Sequence, residues 1–223
     1  MVKVLTFLKR KTGMAVDEFQ EYWRTRHPEV VTRLPGIRRY VQSHVLPTAY
    51  AKGEPVYDGI AEVWADDTEA LREMTRSPEH VRLQADEARF IDRARMGFLI
   101  TEDHVVLEGA VAPGGVKAVE FLTRRLDLSV EIFQRHLREA HTPLAAKIPT
   151  LRRYVVSVTR APAYGAGRAP AYDAAALLWF DSVDELRAAG STPEYRAAVG
   201  DRAHFLAPGP PPFIVTREHV IVG

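Results

Sequence analysis

The stretch Leu34-Pro35-Gly36-Ile37-Arg38-Arg39-Tyr40-Val41 returns 114 residues later as Ile148-Pro149-Thr150-Leu151-Arg152-Arg153-Tyr154-Val155. That echo decides the fold, because it extends in both directions. Residues 2–43 match residues 116–157 without a gap at 16 of 42 positions, with Phe7/Phe121, Leu8/Leu122, Phe19/Phe133 and His27/His141 among the landmarks. After one inserted residue the offset becomes 115. Tyr57-Asp58 then meets Tyr172-Asp173, Trp64 meets Trp179, Phe90 meets Phe205, and Thr101/His104/Val105 meet Thr216/His219/Val220. Agreement along the whole chain marks a duplication, and two copies are too few for a solenoid. A closed pseudo-twofold pair is expected, with a first unit over 1–108, a linker over 109–115 and a second, diverged unit over 116–223. The linker, Gly109-Ala110-Val111-Ala112-Pro113-Gly114-Gly115, has the composition of one.

Each half repeats one order of elements. Val2–Leu8 and Val116–Leu122 are apolar runs too short for a helix and read as strands buried on both faces. A helix follows over residues 15–25, with Phe19, Tyr22, Trp23 and Arg26 at helical spacing and Asp17-Glu18 at its start. Pro35 and Pro149 precede a second strand (37–45; 151–159). A loop rich in Pro, Gly and Tyr leads to a third strand (59–64; 174–179). A second helix begins near Thr68 or Val183, and a last strand covers 98–106 or 213–222. The order βαββαβ is the ferredoxin-like arrangement. Its antiparallel sheet carries helices on one face, so the bare face gains most by covering a second sheet, at roughly 25 cal/mol per Å2. The expected fold class is therefore α+β: two tandem ferredoxin-like units packed sheet to sheet as an intramolecular dimeric α/β barrel.

Composition narrows the function. With 46% hydrophobic and 26% charged residues and a net charge of +1, the chain reads as an ordinary globular protein. It lacks the basic footprint of a nucleic-acid or membrane-surface binder. There is no cysteine, which excludes disulfides, thiolate catalysis and thiolate-bound metals. No apolar run approaches 18 residues, and the apolar start is too short for a signal sequence, so a cytoplasmic location is expected. Nucleotide loops, the nucleophile elbow and zinc spacings are all missing.

The landmarks resemble the EthD-type domain of the dimeric α/β-barrel superfamily. The residues that carry the likeness are Leu8-Lys9-Arg10-Lys11, Phe19-x-x-Tyr22-Trp23-x-x-x-His27, residues 34–41, Tyr57-Asp58-Gly59, Trp64, Phe90-Ile91-Asp92 and Glu102-x-His104-Val105. The second copy departs from it, with Leu137 for Trp23, Ala174 for Gly59 and Pro211-Pro212 for Met96-Gly97. The resemblance implies a cavity between the two sheets. Its relatives include polyketide cyclases and dehydratases, lactone isomerases, cofactor-free monooxygenases and haem enzymes.

His27 is the first catalytic candidate. It lies just before Pro28 where the first helix ends, and an imidazole near a cavity can act as acid or base near neutral pH. The alternative is a histidine that caps the helix C-terminus. Glu62 is the second candidate. It is the lone charge in Gly59–Trp64 and shares a face with Ile60 and Trp64, so burial would raise its pKa. A rim salt bridge to Arg38 or Arg39 is the alternative. Tyr40, Gln42 and His44 alternate onto one face of the second strand and form a polar row suited to holding a carbonyl or phenol. Trp64, Glu120 and His141 complete the expected substrate-binding set. Leu137, Val156, Val158 and Leu177 replace Trp23, Gln42, His44 and Glu62 in the second copy, which points to one working pocket lined mainly by the first half.

The leading expectation is a cofactor-independent enzyme that moves protons on a small hydrophobic or aromatic molecule, driving cyclisation, dehydration or isomerisation. A non-catalytic small-molecule-binding or stress-type barrel, and a haem- or oxygen-using relative with a histidine ligand, are the alternatives. No cofactor, metal, nucleic acid or membrane is expected as a partner. The pair forms within one chain, with a further homodimer open.

Overall fold

The computed structural model describes residues 1–165 and 169–223, so part of the second Pro/Gly-rich loop, residues 166–168, lies outside the described residues. The strands are β1 Val2–Leu8, β2 Arg39–Val45, β3 Gly59–Ala65, β4 Gly97–Leu107, β5 Val116–Leu122, β6 Arg153–Thr159, β7 Ala174–Phe180 and β8 Phe213–Val222. In the first half β1 pairs antiparallel with both β3 and β4, and β3 with β2. In the second, β5 pairs with β7 and β8, and β7 with β6. The full strand order, β1-β3-β2-β8-β5-β7-β6-β4, closes on itself. The fold is the intramolecular dimeric α/β barrel of two ferredoxin-like units. Its compact units are Met1–Glu102 with Glu218–Gly223, and Asp103–Arg217, so β4 and β8 each contribute to both.

The helices differ from the sequence expectation in number. The first half holds α1 Val16–Thr25, α2 Pro28–Val31, α3 Thr68–Arg76 and α4 Pro78–Phe90. One expected helix is two because Ser77 accepts a hydrogen bond from the His80 N–H while Pro78 takes the first helical position, which starts α4 afresh. The second half holds α5 Val130–His136, a π-turn over Leu137–His141, α6 Thr142–Ala145, α7 Val183–Ala189 and α8 Pro193–Asp201. Thr192 and Pro193 begin α8 in the same way.

The register assigns the two faces of the first unit's sheet. Val2, Tyr40 and Ala65 pack against Val31, Leu34, Leu71 and Met74 of the helix layer, with Val4, Ala61 and Val63 beside them. Leu8 joins Phe19, Trp23, Phe90 and Ile91. Leu5, Val41 and Glu62 align across three strands on the face away from those helices. Gly59 lets Trp23 lie on the sheet. A Cβ there would fall 2.4 Å from the indole ring and 2.6 Å from the Ser43 carbonyl oxygen. The second copy carries Ala174 at this position and the smaller Leu137 opposite.

Candidate functional site

His27 sits between α1 and α2 and caps neither with its side chain. Its Nδ1 lies 2.7 Å from Asp86 Oδ2 of α4, and the Tyr22 hydroxyl donates to Asp86 Oδ1 at 2.6 Å. Burial alone would raise the Asp86 carboxyl, but the hydrogen bonds from His27 and Tyr22 hold it below the usual carboxylate range. An ionised Asp86 accepts only, so Nδ1 carries the proton and Nε2 is the basic nitrogen. The imidazole edge rests on Phe90, with ring centroids 5.0 Å apart. The imidazole is held by a carboxylate that is itself held by Tyr22.

Glu87 follows Asp86 on α4. Burial pushes its carboxyl up to about 7, with Asp86 adding to the shift and Arg93 opposing it. The sheet beneath is incompletely covered. Val4, Thr6, Ala61, Val63 and Ile100 on the helix-facing side are part-exposed, whereas the alternate residues Leu5, Ile60, Glu62 and Leu99 are buried. Leu83, Glu87 and Met96 above them are also part-exposed. Val4, Ala61, Val63, Leu83 and Ile100 pack as partly buried apolar groups against the core between the helices and the sheet of the first unit.

Tyr40, Gln42 and His44 form one connected row on the helix-facing side. The Gln42 amide donates to the Tyr40 hydroxyl at 2.9 Å and to the Trp23 carbonyl at 2.7 Å. His44 Nε2 lies 3.0 Å from Gln42 Oε1, and since the amide nitrogen is already donating, Nε2–H donates here. The ring of His44 stacks on Trp23 at 4.1 Å and meets His219 edge-on at 4.8 Å. Burial, then His219 and Arg24, lower the His44 pKa to about 3, so it is neutral. The Tyr40 phenol is pushed up by burial, against the pull of Gln42 and Trp23.

Glu62 stands apart from this group. It is buried on the opposite face, where Lys3 Nζ donates to its Oε2 at 3.0 Å. Arg38 binds Asp66, and Arg39, like Lys3, lies over the Trp64 ring. His27 and Glu62 thus do not meet, and Trp64 keeps company with Glu62 rather than with Tyr40.

The second half repeats the brace and alters its surroundings. His141 Nδ1 is 3.0 Å from Asp201 Oδ2, and His136, at the position of Tyr22, reaches the same carboxylate at 3.0 Å. Burial lowers the His141 pKa, against the pull of Asp201. Arg202 replaces Glu87, and its Nη2 lies 2.7 and 2.8 Å from the two oxygens of Glu120, the counterpart of Thr6. Ala118 and Ala176, counterparts of Val4 and Ala61, are buried. A groove of about 830 Å3 opens nearby among Leu126, Val199, Arg202, Leu206 and residues 208–211, with its arginines Arg125 and Arg202 already paired to Asp127 and Glu120.

Sequence reasoning missed Tyr22, Asp86 and Glu87 as site residues. Asp86 and Asp201 are identical at the 115-residue offset, and that identity was the available signal. Among the described residues no group of three or more His, Asp or Glu is placed to hold a metal ion, and no helix is long and apolar enough to cross a membrane.

Closed antiparallel strands, helices on the outer face and a braced histidine in each copy define a dimeric α/β-barrel protein whose two units share one chain. The EthD domain matches residues 11–94 and 125–209, and the chain belongs to the EthD family. Comparison with curated proteins finds no match. Among solved structures the chain is similar to an anthrone oxidase-like protein, with 15% identity, a TM-score of 0.66, and coverage of 100% of this chain and 94% of that one. It is also similar to a proposed monooxygenase from Lactobacillus acidophilus NCFM, with 11% identity, a TM-score of 0.57, and coverage of 99% and 93%. An EthD family protein from Bacillus halodurans C-125 is 24% identical over 47% of this chain and 99% of its own, with a TM-score of 0.37.

Proposed function

We propose that the protein is a cofactor-independent acid–base enzyme that moves a proton on a small apolar molecule held in the first half. The observation that carries this reading is the Tyr22–Asp86–His27 chain, which holds the His27 imidazole through Nδ1 and leaves Nε2 to act as the base. Cyclisation, dehydration and isomerisation can each be driven by a proton removed by one placed group and delivered by another. The similar structures are described as an anthrone oxidase-like protein and a proposed monooxygenase. Those likenesses extend to the fold alone.

The test is exchange of the α-hydrogens of 1-tetralone, a neutral enolisable ketone, for deuterium in D2O, followed by NMR. Wild-type protein is expected to accelerate exchange, and His27→Ala to lose about 10²–10⁴-fold of the rate, the usual worth of a placed acid or base. The loss from His141→Ala should be smaller. Equal losses would overturn the one-pocket reading. Binding without exchange would leave a small-molecule-binding barrel instead.

A further inference from the structure

The groove beside Arg202 has two pinned walls. One is the turn Arg125-Leu126-Asp127, where the Arg125 N–H donates to the Phe205 carbonyl at 3.0 Å and its Nη1 to the Ala203 carbonyl at 3.1 Å. The other is the run Pro208-Gly209-Pro210-Pro211-Pro212, whose prolines fix their own φ and whose Gly209 turns at a φ of 99°. Both ends of that run are tied to β5 and the residue after it. The Ala207 N–H donates to the Thr123 carbonyl and the Phe121 N–H to the Pro212 carbonyl, each at 2.9 Å. Between the walls lie about 830 Å3, a size that takes a small organic molecule. The first copy fills the equivalent place with a polar tie, in which Arg95 donates to Asp92 at 2.7 Å and to Thr12 at 3.4 Å. Pro210, Ala207 and Leu126 replace that trio and can make neither bond, while Val199 replaces Gln84. Leu126 is 93% exposed on the groove's rim, where a bound apolar group would cover it.

The charges of the lining are already matched. Arg125 holds Asp127 through two nitrogens, at 2.9 and 2.7 Å, and Arg202 Nη2 holds Glu120. A ligand carboxylate would therefore meet two cations that each already carry a counter-charge. Arg202 nevertheless keeps donors to offer. Among the described residues its Nε and Nη1 meet no acceptor, and Nε is shut off from solvent, which leaves Nη1 as the nitrogen open to a ligand. An uncharged oxygen there would accept a charge-assisted hydrogen bond and leave the ion pair in place. Proline rings and a planar guanidinium favour a flat ring over a flexible chain. We propose that the groove of the second half is a binding site for a neutral aromatic ketone. Its rings lie among Leu126, Val199 and the proline run, and its carbonyl oxygen accepts from Arg202 Nη1. This site goes beyond the proton-transfer reading of the first half and does not depend on it.

Benzophenone is the probe, because it is a neutral aromatic ketone with no α-hydrogen for the first half to remove. Near-ultraviolet light also bonds its carbonyl carbon to nearby C–H carbons, so peptide mass spectrometry reports where it sits. Saturable labelling should fall within residues 125–127 and 199–211. Calorimetry then compares benzophenone with diphenylmethane, which lacks the oxygen, and with 4-benzoylbenzoate, which adds a charge. Wild type should bind benzophenone about tenfold more tightly than diphenylmethane, and 4-benzoylbenzoate no more tightly than benzophenone. Ala203→Trp, at an exposed lining position, should weaken benzophenone and diphenylmethane at least about tenfold with an unchanged thermal melt. Arg202→Leu combined with Glu120→Leu removes the donor and keeps the lining apolar. That double variant should still bind diphenylmethane and lose the preference for the ketone. Labelling elsewhere, or binding untouched by Ala203→Trp, overturns the site. A tenfold preference for 4-benzoylbenzoate overturns the neutral ligand. A wild-type dimer in sedimentation that Ala203→Trp dissociates would give the groove to a second copy of the chain and overturn the proposal.

Discussion

Arg202 stands at the position of Glu87 and closes onto Glu120, with a single nitrogen, Nη2, within 2.8 Å of both carboxylate oxygens. Each side chain is 19% exposed, so the pair is largely withdrawn from water. Removing one partner of such a pair leaves the other uncompensated. Arg202→Ala should cost about 3 kcal/mol, the low end for a buried pair, read as a fall in the chemical-denaturation midpoint. Replacing both residues with leucine should cost much less. A larger loss from the double substitution would sink this account.

Gly59→Ala should destabilise the protein by about 1–3 kcal/mol, because the added methyl collides with the Trp23 ring and the Ser43 carbonyl. The second copy suggests the remedy, since Ala174 there is accompanied by Leu137 at the position of Trp23. Trp23→Leu introduced together with Gly59→Ala should recover part of the loss in thermal melts. A double variant as unstable as the two single losses added together would show that the ring is not the obstacle.

His44 ties stability to acidity. In the folded protein its pKa is lowered to about 3, while an unfolded histidine titrates near 6.5. Between those values the unfolded chain takes up a proton that the folded chain refuses. Its effect is therefore absent above about pH 6.5 and grows as pH falls toward 3, at up to about 1.4 kcal/mol per unit. His44→Val, which copies Val158, should flatten that part of the stability curve. The lowered pKa values of His141 and His80 leave a residual slope in both proteins. Parallel curves for variant and wild type would refute the assignment.

Asp86 acts through His27. Asp86→Asn can turn an amide N–H toward Nδ1 where a carboxylate oxygen stood, which favours the His27 tautomer with its proton on Nε2, and that nitrogen then cannot act as base. Exchange of 1-tetralone should fall by about 10²–10⁴-fold while binding of the ketone persists. Loss of binding in step with rate would mark Asp86 as a packing residue instead.

Much of this architecture was legible in the chain. The repeat is carried by identities such as Arg38-Arg39-Tyr40-Val41 with Arg152-Arg153-Tyr154-Val155, and the strand limits follow the apolar runs closely. The break at Ser77-Pro78 was written there too, as a cap followed by a helix-starting proline, but the charged run around it reads as one continuous helix. Alternation put Tyr40, Gln42 and His44 on one side of a strand, and Glu62 with Trp64 on one side of another. Parity alone cannot say which side faces helices, so residues on opposite faces read as one pocket. Asp86 was hidden by its neighbourhood. In Gln84-Ala85-Asp86-Glu87-Ala88-Arg89 its charge looks like an ordinary solvated helix face, and only contact with His27 distinguishes it. The partner of Glu62 was hidden by distance, since Lys3 lies 59 residues away and meets it only through the β1–β3 register.

The exchange of Glu87 for Arg202 also bears on how such a barrel can break its own symmetry. In a barrel assembled from two identical chains, a substitution at this position appears twice, and a pocket lost on one side is lost on both. Carrying both repeats in one chain gives each copy its own position to vary. One copy can keep a carboxyl at Glu87 while the other turns the same place into an internal tie between Arg202 and Glu120. The duplication within one chain is thus the feature that permits an uneven barrel, in which one copy carries an internal ion pair that the other lacks.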